Sequence, residues 1–185
     1  MEDQIAISLL KQGNLNGLEA LVIRYQAKAV HAAYLITNER ALAEDVVQTA
    51  FVKVAQRIHQ FDEKREFHPW FFRIVVNDAL KAVNKRQHSV SLEELDEPTE
   101  RIAKWLTDPS PRPDQVLEQK ELRENILNAI HSLSPDQRAV VVMRYYLNMS
   151  EADMSAKMDR PLSTIKWWLR DARKRLNELI TYDRS

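Results

Sequence analysis

Eight stretches of the chain carry apolar side chains three or four positions apart, which is the period of an amphipathic helix. These stretches are 3–12, 16–36, 41–60, 68–86, 115–132, 135–147, 151–158 and 163–180. The chain has only two glycines, Gly13 and Gly17, so few of the turns that a sheet needs are available. The pattern predicts an all-α fold.

The helical pattern is interrupted between residues 88 and 116. This segment holds four prolines, and its seven acidic residues outnumber its three basic residues. Such a composition is typical of a linker. We therefore expect two small helical domains on a tether, a bundle over 1–87 and a second domain over 117–185.

The second domain contains signals for two short helices joined by a tight turn. Ser134 precedes Pro135, and Gln137 stands where it can complete a capping box. Ser150 can cap the next helix in the same way. Pro161 ends that helix and Ser163 can cap the last one. Two helices joined by such a turn, the second of them amphipathic and basic, predict a helix-turn-helix, whose second helix enters the major groove of DNA.

The last helix has an apolar face and a cationic face. On a helical wheel Ile165, Leu169, Ala172, Leu176 and Leu179 share one side, which we expect to be buried. The opposite side carries Lys166, Trp167, Arg170 and Lys174, which can meet phosphates and base edges. Trp168 lies on the flank, where we expect it to pack in the core. A merely solvated surface is the alternative for the charged residues.

Composition excludes several classes of function. The chain has 27 basic and 27 acidic residues, but within 163–176 five basic residues stand against one acidic residue and form a local basic patch. It has no cysteine, and its five histidines show no metal-ligand spacing, so we expect neither a metal nor a cofactor. No apolar run reaches the roughly 20 residues of a membrane span, and we expect a cytoplasmic protein. No phosphate-binding loop or catalytic grouping is present, and we expect no enzyme.

The segment from Leu147 to Leu176, with the preceding Leu133-Ser134-Pro135 and Arg144-Tyr145-Tyr146, resembles the helix-turn-helix of bacterial sigma factors. The similarity is to the extracytoplasmic-function (ECF) group of the sigma-70 family, and it implies recognition of the minus-thirty-five promoter element. The residues expected to contact that element are Ser163, Thr164, Lys166, Trp167, Arg170, Arg173 and Lys174. Asp159 stands where the family usually has glycine, and aspartate tolerates a left-handed backbone.

The run from Ala43 to Phe51 resembles the segment by which ECF sigma factors bind the coiled-coil clamp of RNA polymerase. An apolar stripe over 43–58 is expected to pack inward. The polar face opposite it is expected to bind the polymerase, with Asp45 and Gln48 carried over from the family. The residues of that face are Asp45, Gln48, Thr49, Val52 and Gln56. Taken without the resemblance, this is an ordinary solvated face.

The helix predicted over 68–86 combines aromatic and cationic residues. Arg73, Asn77, Lys81 and Lys85 recur every fourth residue, a pattern that suits melting DNA. Trp70 and Phe71 are expected to be core residues. The preceding polar loop, 61–67, lies where sigma factors form a pocket for a base extruded from the minus-ten element. The resemblance assigns Asn77 to that element, and Lys64 and Arg65 of the loop join the DNA-binding set.

The resemblance implies three partners: core RNA polymerase, promoter DNA and an anti-sigma factor. It also implies that the acidic linker threads toward the RNA channel of the polymerase, although a solvated linker explains its composition equally well. Two other functions stay open. A stand-alone helix-turn-helix regulator would explain only the C-terminal third, and a sigma-mimicking protein that occupies an anti-sigma factor would not need the DNA-facing residues.

Overall fold

The computed structural model describes residues 2–89 and 124–182, and within these ranges the chain forms helices and no strand. The predicted all-α fold is confirmed. The N-terminal helices are α1 (Asp3–Lys11), α2 (Asn16–Thr37), α3 (Arg40–Arg57) and α4 (Phe67–Ser89), with a short 3₁₀ turn at Ile58–Gln60 after α3. The C-terminal helices are α5, described over 124–131, α6 (Pro135–Val141), α7 (Glu151–Met158) and α8 (Leu162–Tyr182).

The helix boundaries agree with the apolar periodicity to within a few residues. The largest difference is in the stretch predicted as 135–147, where α-helical bonding ends at Val141 and a π-helical turn follows over Val142–Tyr146. There the amide of Leu147 donates to the carbonyl of Val142, 3.0 Å away. The predicted linker, 88–116, lies outside the described residues, apart from its first two residues, which end α4. The start of the helix predicted over 115–132 also lies outside them.

Two of the three predicted caps are confirmed. Ser134 Oγ accepts from the Gln137 amide at 3.3 Å, and Gln137 Oε1 accepts from the Ser134 amide at 3.0 Å. Ser150 Oγ accepts from the Asp153 amide at 3.1 Å. The expected cap at Ser163 is wrong, because α8 begins one residue earlier, at Leu162. The fixed φ of Pro161 already suits a helix start.

The N-terminal bundle packs α2, α3 and α4 around an aromatic core. The predicted stripe of α3 is buried at every position: Ala43, Val46, Val47, Ala50, Val54 and Ile58. Phe71 is fully buried, and the half-buried Trp70 packs against Phe61 with ring centroids 5.0 Å apart. Both aromatic residues are therefore core residues, as predicted. Helix α1 crosses α2 at Gly17, where an added Cβ would lie 2.2 Å from the carbonyl oxygen of Ala6.

The C-terminal helices enclose the predicted apolar face of α8 only in part. Ile165, Leu169 and Ala172 are buried, and Leu176 is partly buried against Leu133 and Val141. The expectation for Leu179 is wrong, since 43% of this residue is exposed. The cluster that covers the apolar face ends at Leu176, and the last turns of α8 extend past it.

The two halves of the chain pack directly against each other. One continuous apolar cluster includes residues of α1 to α4 together with Leu127, Met143, Met154 and Ile165. The sequence left the relative arrangement of the two halves open. In the structure the two halves lie side by side. The division into domains at 87 and 117 stays a prediction, because residue 117 and most of the predicted linker lie outside the described residues.

A histidine of this contact makes the stability of the fold depend on pH. His131 is mostly buried, its Nε2 has no hydrogen-bond partner in the described chain, and its ring stands edge-on to Tyr34 at 5.3 Å. Burial, and secondarily the charge of Arg138, lowers the pKa of His131 to about 4. Between pH 6.5 and 4 the unfolded chain therefore binds a proton that the folded chain does not.

We expect this histidine to reduce the free energy of unfolding by about 1.4 kcal/mol for each pH unit below 6.5, down to about pH 4. His131→Gln removes the titrating group, so its unfolding free energy should fall less steeply over the same window. Urea unfolding of the wild-type chain and of His131→Gln at pH 7, 6 and 5 measures the difference between their free energies of unfolding. Both proteins have the same carboxylates, so carboxylate titration cancels in this difference. Parallel pH profiles would contradict the prediction.

Candidate nucleic-acid interface

The outer face of α3 is a polar surface with an apolar centre. Because the inward stripe of the helix is buried, the opposite positions face solvent, and Val52 is 55% exposed. All five residues predicted for polymerase binding are exposed: Asp45, Gln48, Thr49, Val52 and Gln56. The structure thus brings them together on one helix face, which is named the α3 face below.

An ion pair fixes α3 against α4 next to this face. Lys53 Nζ donates to both carboxylate oxygens of Asp78, at 2.7 and 2.8 Å. The Asp78 side chain is only 12% exposed, so solvent screens the pair less than a surface ion pair. This pair was not predicted from the sequence, because neither residue stands out in its own helix.

The cationic stripe of α4 is exposed as predicted. Arg73, Lys81 and Lys85 are exposed and Asn77 is half-buried, so the four residues form a stripe one turn apart along the helix. The first turn of α4 lies close to the C-terminal half, because Lys157 Nζ of α7 donates to the carbonyl of Pro69 at 2.9 Å. The stripe therefore starts beside this contact and runs away from it.

The loop between α3 and α4 borders a cleft of about 350 Å³. Lys11 anchors the loop from α1, donating to the carbonyl of Phe61 at 3.0 Å and to Glu63 Oε1 at 2.7 Å. The predicted residues Lys64 and Arg65 line the cleft together with residues of α1 and the start of α4. The other lining residues are Asp3, Gln4 and Ile7 of α1, Phe61, Glu63 and Glu66 of the loop, and Phe67 and His68 at the start of α4.

The cleft corresponds only in part to the predicted site for an extruded base. Asn77 and the rest of the α4 stripe are not among the residues that line it. The structure therefore does not bring Asn77 together with Lys64 and Arg65 in one pocket. The contribution of α1 was not predicted, because the pattern of this helix gives no signal beyond its amphipathic period.

Helix α8 presents the predicted cationic face. Six of its seven predicted residues are exposed and Thr164 is half-buried. Trp167 is 55% exposed, whereas Trp168 is half-buried and packs against the core, as expected. The turn before α8 has the predicted left-handed residue, with Asp159 at φ 52° and ψ 50°. Aspartate thus adopts the left-handed backbone that it was expected to tolerate.

Some charges of α8 are engaged within the protein. Asp171 accepts from Gln137 Nε2 at 2.5 Å and pairs with Arg175 at 3.2 Å, which joins α8 to α6. Lys174 lies 3.9 Å from Glu178. Lys166, Arg170 and Arg173 form no ion pair within the described part of the chain and are exposed, so their charges can meet an external anion.

Within 2–89 and 124–182, no three histidine or acidic side chains are grouped closely enough to hold a metal ion. No helix in the same ranges is both long and apolar enough to cross a membrane. The described surface therefore has four features: the polar α3 face, the cationic stripe of α4, the cationic face of α8 and the cleft beside the 61–67 loop. These features suit contacts with a protein and with nucleic acid.

Comparison with known proteins gives the family. The model of sigma-70 region 2 matches residues 21–89, and the model of sigma-70 region 4 matches residues 123–176. The ECF RNA polymerase sigma-E factor of Escherichia coli (strain K12) is 26% identical, covering 97% of this chain and 95% of its own. That of Haemophilus influenzae is 28% identical, over 97% of this chain and 96% of its own.

Solved structures show the same fold. CnrH in complex with the cytosolic domain of CnrY has a TM-score of 0.63 and 22% identity, over 98% of each chain. The sigma factor RpoE of Bartonella quintana, in complex with the anti-sigma factor NepR, has a TM-score of 0.66 and 20% identity, over 89% of this chain and 97% of its own. The chain belongs to the sigma-70 family and is a bacterial RNA polymerase sigma factor of the ECF group.

Proposed function

We propose that the three exposed faces of this sigma factor have separate binding functions. The α3 face binds core RNA polymerase, the α4 stripe and the 61–67 loop bind and melt the minus-ten element, and α8 reads the minus-thirty-five element. The observation that carries this proposal is the presence of all three faces, exposed, on the segments that match regions 2 and 4. The segment 1–87 then acts as the region 2 domain, 117–185 as the region 4 domain, and 88–116 as the linker.

The α3 face has the chemistry of a specific protein contact. It combines one carboxylate and three polar side chains around an exposed valine, so an apolar contact can be surrounded by hydrogen bonds. Asp45 supplies the charge that a basic clamp surface would recognise. The ion pair between Lys53 and Asp78 holds the helix in place beneath it.

The minus-ten contacts follow from charge and shape. The α4 stripe offers exposed cations that can follow a DNA backbone, while the cleft at 61–67 offers Lys64 and Arg65 beside Phe61 and Phe67. A base that leaves the duplex loses stacking worth a few kcal/mol, which binding in a cleft can offset. We assign Asn77 to the strand that the stripe holds and not to the cleft itself, since it does not line that cleft.

The recognition helix supplies the upstream contacts. Lys166, Arg170 and Arg173 reach phosphates or guanine edges, with Ser163, Thr164 and Lys174 as further contacts. The exposed indole of Trp167 lies among these cations and suits a thymine methyl or a sugar. The polymerase performs nucleotide transfer, so the chain itself is no enzyme. The chain works in the cytoplasm, together with the polymerase.

An anti-sigma factor is the regulatory partner that we propose for this chain. CnrH and RpoE, which share its fold, were each solved in complex with another protein, CnrY and the anti-sigma factor NepR. A stand-alone regulator is the weaker alternative, because it leaves the match to region 2 and the α3 face without a role. A sigma mimic likewise leaves the exposed cations of α4 and α8 without a role.

Reconstitution tests the proposed function and its division of work. The purified chain is combined with core RNA polymerase, and fragmented genomic DNA of the same organism is transcribed. We expect transcripts whose starts share two upstream elements. On such a promoter, Arg73→Ala with Lys81→Ala should reduce open-complex formation about 10-fold or more, because two backbone contacts are lost, while polymerase binding is unchanged.

Permanganate footprinting measures the melted bases, and co-elution measures polymerase binding. Glu19→Ala, on the exposed side of α2, is the control and should behave as the wild-type chain. If the α4 variant formed open complexes as well as the wild-type chain, the α4 stripe would have no part in DNA melting. Tight duplex binding by the chain alone, without polymerase binding, would favour the stand-alone regulator.

A further inference from the structure

We propose that Lys11 of α1 is a positioning residue for the minus-ten element. Its ammonium group holds the 61–67 loop in the shape in which the cleft receives an extruded base. The inference rests on the proposed function of the cleft. It gives a part in promoter recognition to α1, a helix that carries none of the predicted DNA-binding residues.

The 61–67 loop begins and ends at a buried phenylalanine. Phe61 and Phe67 are each 3% exposed, and their rings meet edge-on with centroids 5.8 Å apart. The five residues between them are all exposed. Packing therefore fixes the two ends of the loop, whereas its exposed part needs polar contacts to keep one conformation.

Asp62 folds the exposed part of the loop into a turn. Its Oδ1 accepts from the amide of Lys64 at 3.0 Å, and its carbonyl accepts from the amide of Arg65 at 3.0 Å. Aspartate commonly forms turns in this way, by accepting from the backbone two residues further on. These bonds shape the turn locally, but they do not fix its position relative to the helices.

Lys11 joins this turn to α1. Its Nζ donates to Glu63 Oε1 at 2.7 Å, within the turn, and to the carbonyl of Phe61 at 3.0 Å, at the start of the loop. In the part of the chain that the structure describes, the hydrogen bonds of residues 62–66 are all local except the one from Lys11. The Lys11 side chain is 23% exposed, so solvent screens these bonds less than those of a fully exposed lysine. One ammonium group therefore fixes both the start and the middle of the loop.

Helix α1 is itself attached to the bundle along its length. At its start, Asp3 accepts from Arg24 Nη1 at 2.5 Å and from the hydroxyl of Tyr25, both on α2. In its middle, Gly17 allows α2 to approach the backbone of α1 closely. The ring of Tyr25 also packs against Phe67, with centroids 5.4 Å apart. Helix α1 thus supports both walls of the cleft, the loop from its last turn and the start of α4 through the tyrosine.

A loop that is already in position does not have to be ordered when a base arrives. If the loop is in position for only a fraction of the time, the apparent affinity of the cleft falls by that fraction. Lys11→Met removes the bond to the Phe61 carbonyl, and one hydrogen bond corresponds to about 2- to 12-fold in such an equilibrium. The half-exposed pair with Glu63 adds little to this. We therefore expect Lys11→Met to weaken base binding in the cleft about 2- to 12-fold.

Binding of forked promoter DNA by core polymerase with the bound chain tests the positioning role. The fork carries a single-stranded minus-ten element, in which each base is replaced in turn by an abasic site. The ratio of the Kd for the abasic fork to the Kd for the intact fork measures what that base contributes. The position bound in the cleft is the one at which Lys64→Ala with Arg65→Ala reduces this ratio. At that position Lys11→Met should reduce the ratio about 2- to 12-fold and leave the affinity for the abasic fork unchanged.

Two further variants separate positioning from charge. Lys11→Arg keeps a cationic donor and should restore the wild-type ratio. Arg40→Met is the matched control, because Arg40 also pairs with a glutamate, Glu44 at 2.8 Å, but lies on α3 outside the cleft. It removes the same charge, and its ratio should equal that of the wild type.

The variant and the wild-type chain fail in different ways if the inference or the proposed function is wrong. An unchanged ratio in Lys11→Met would overturn the positioning role. Equal weakening of the intact and abasic forks gives this result, and it would mean that the lysine acts on the fold or on the DNA backbone. If the wild-type chain showed no position that depends on Lys64 and Arg65, the proposed function of the cleft would be wrong and the positioning role would be overturned with it.

Discussion

The double variant Asp45→Arg with Gln48→Ala is expected to bind core RNA polymerase at least 100-fold more weakly than the wild-type chain. Both side chains are exposed on the α3 face, one turn apart on the helix. Reversing the charge replaces an attraction to a basic clamp surface with a repulsion, and juxtaposed like charges cost several kcal/mol at an interface. Removing the amide also leaves a polar group of the partner without its hydrogen bond.

The loss should not come from unfolding. Neither side chain belongs to the buried stripe of α3, and surface substitutions of this kind change the free energy of unfolding by about 0.5 kcal/mol or less. Co-elution with core polymerase on a sizing column and a binding titration measure the effect, while thermal unfolding followed by circular dichroism checks the fold.

A matched control separates a specific contact from a change in overall charge. Glu19→Arg with Gln26→Ala makes the same type of change on exposed positions of α2. It should bind polymerase like the wild type. If the α3 variant retained binding, the clamp contact would have to be sought on another surface of the chain.

The sequence was sufficient to predict the elements whose cause is local. The capping box at Ser134 and the left-handed Asp159 depend on neighbouring residues only, and the buried stripe of α3 depends on the helical period. Each of the exposed faces also follows from that period, because the side opposite a buried stripe must face solvent. The start of α8 was misplaced by one residue because proline and serine give competing signals for a helix start.

The remaining features could not be predicted because they depend on contacts between distant residues. The π-turn at Val142–Tyr146 has no sequence signature, and its tyrosine meets His31, which lies 115 positions away in the chain. Arg138 is expected at a surface by its type, yet it is buried where carbonyls at the ends of two helices, those of Ile36 and His131, accept from it. The cleft at 61–67 likewise needs α1, which reaches it only in the folded chain.

Promoter affinity should fall sharply when the exposed cations of α8 are removed. Lys166→Ala, Arg170→Ala and Arg173→Ala together are expected to weaken holoenzyme binding to the minus-thirty-five element by about 100-fold or more. Each contact to a base edge contributes about 1–3 kcal/mol. Each phosphate contact contributes through released counterions, and its loss flattens the slope of log K against log salt by about 0.9.

The salt dependence distinguishes the two kinds of contact. Holoenzyme affinity for a promoter fragment is measured between about 50 and 300 mM salt, for each single variant and for the triple variant. A residue that binds phosphate should reduce the slope and weaken all sequences alike, whereas a residue that reads a base should leave the slope unchanged and relax discrimination at one position.

Arg175→Ala is the matched control for this series. Arg175 lies on the same helix but pairs with Asp171, which also accepts a hydrogen bond from Gln137 of α6. Its removal takes away the same formal charge without removing a proposed DNA contact, so both affinity and slope should stay close to the wild type. If this variant weakened binding as much as Arg170→Ala, the contribution of α8 would be a diffuse charge effect and not contact by particular residues.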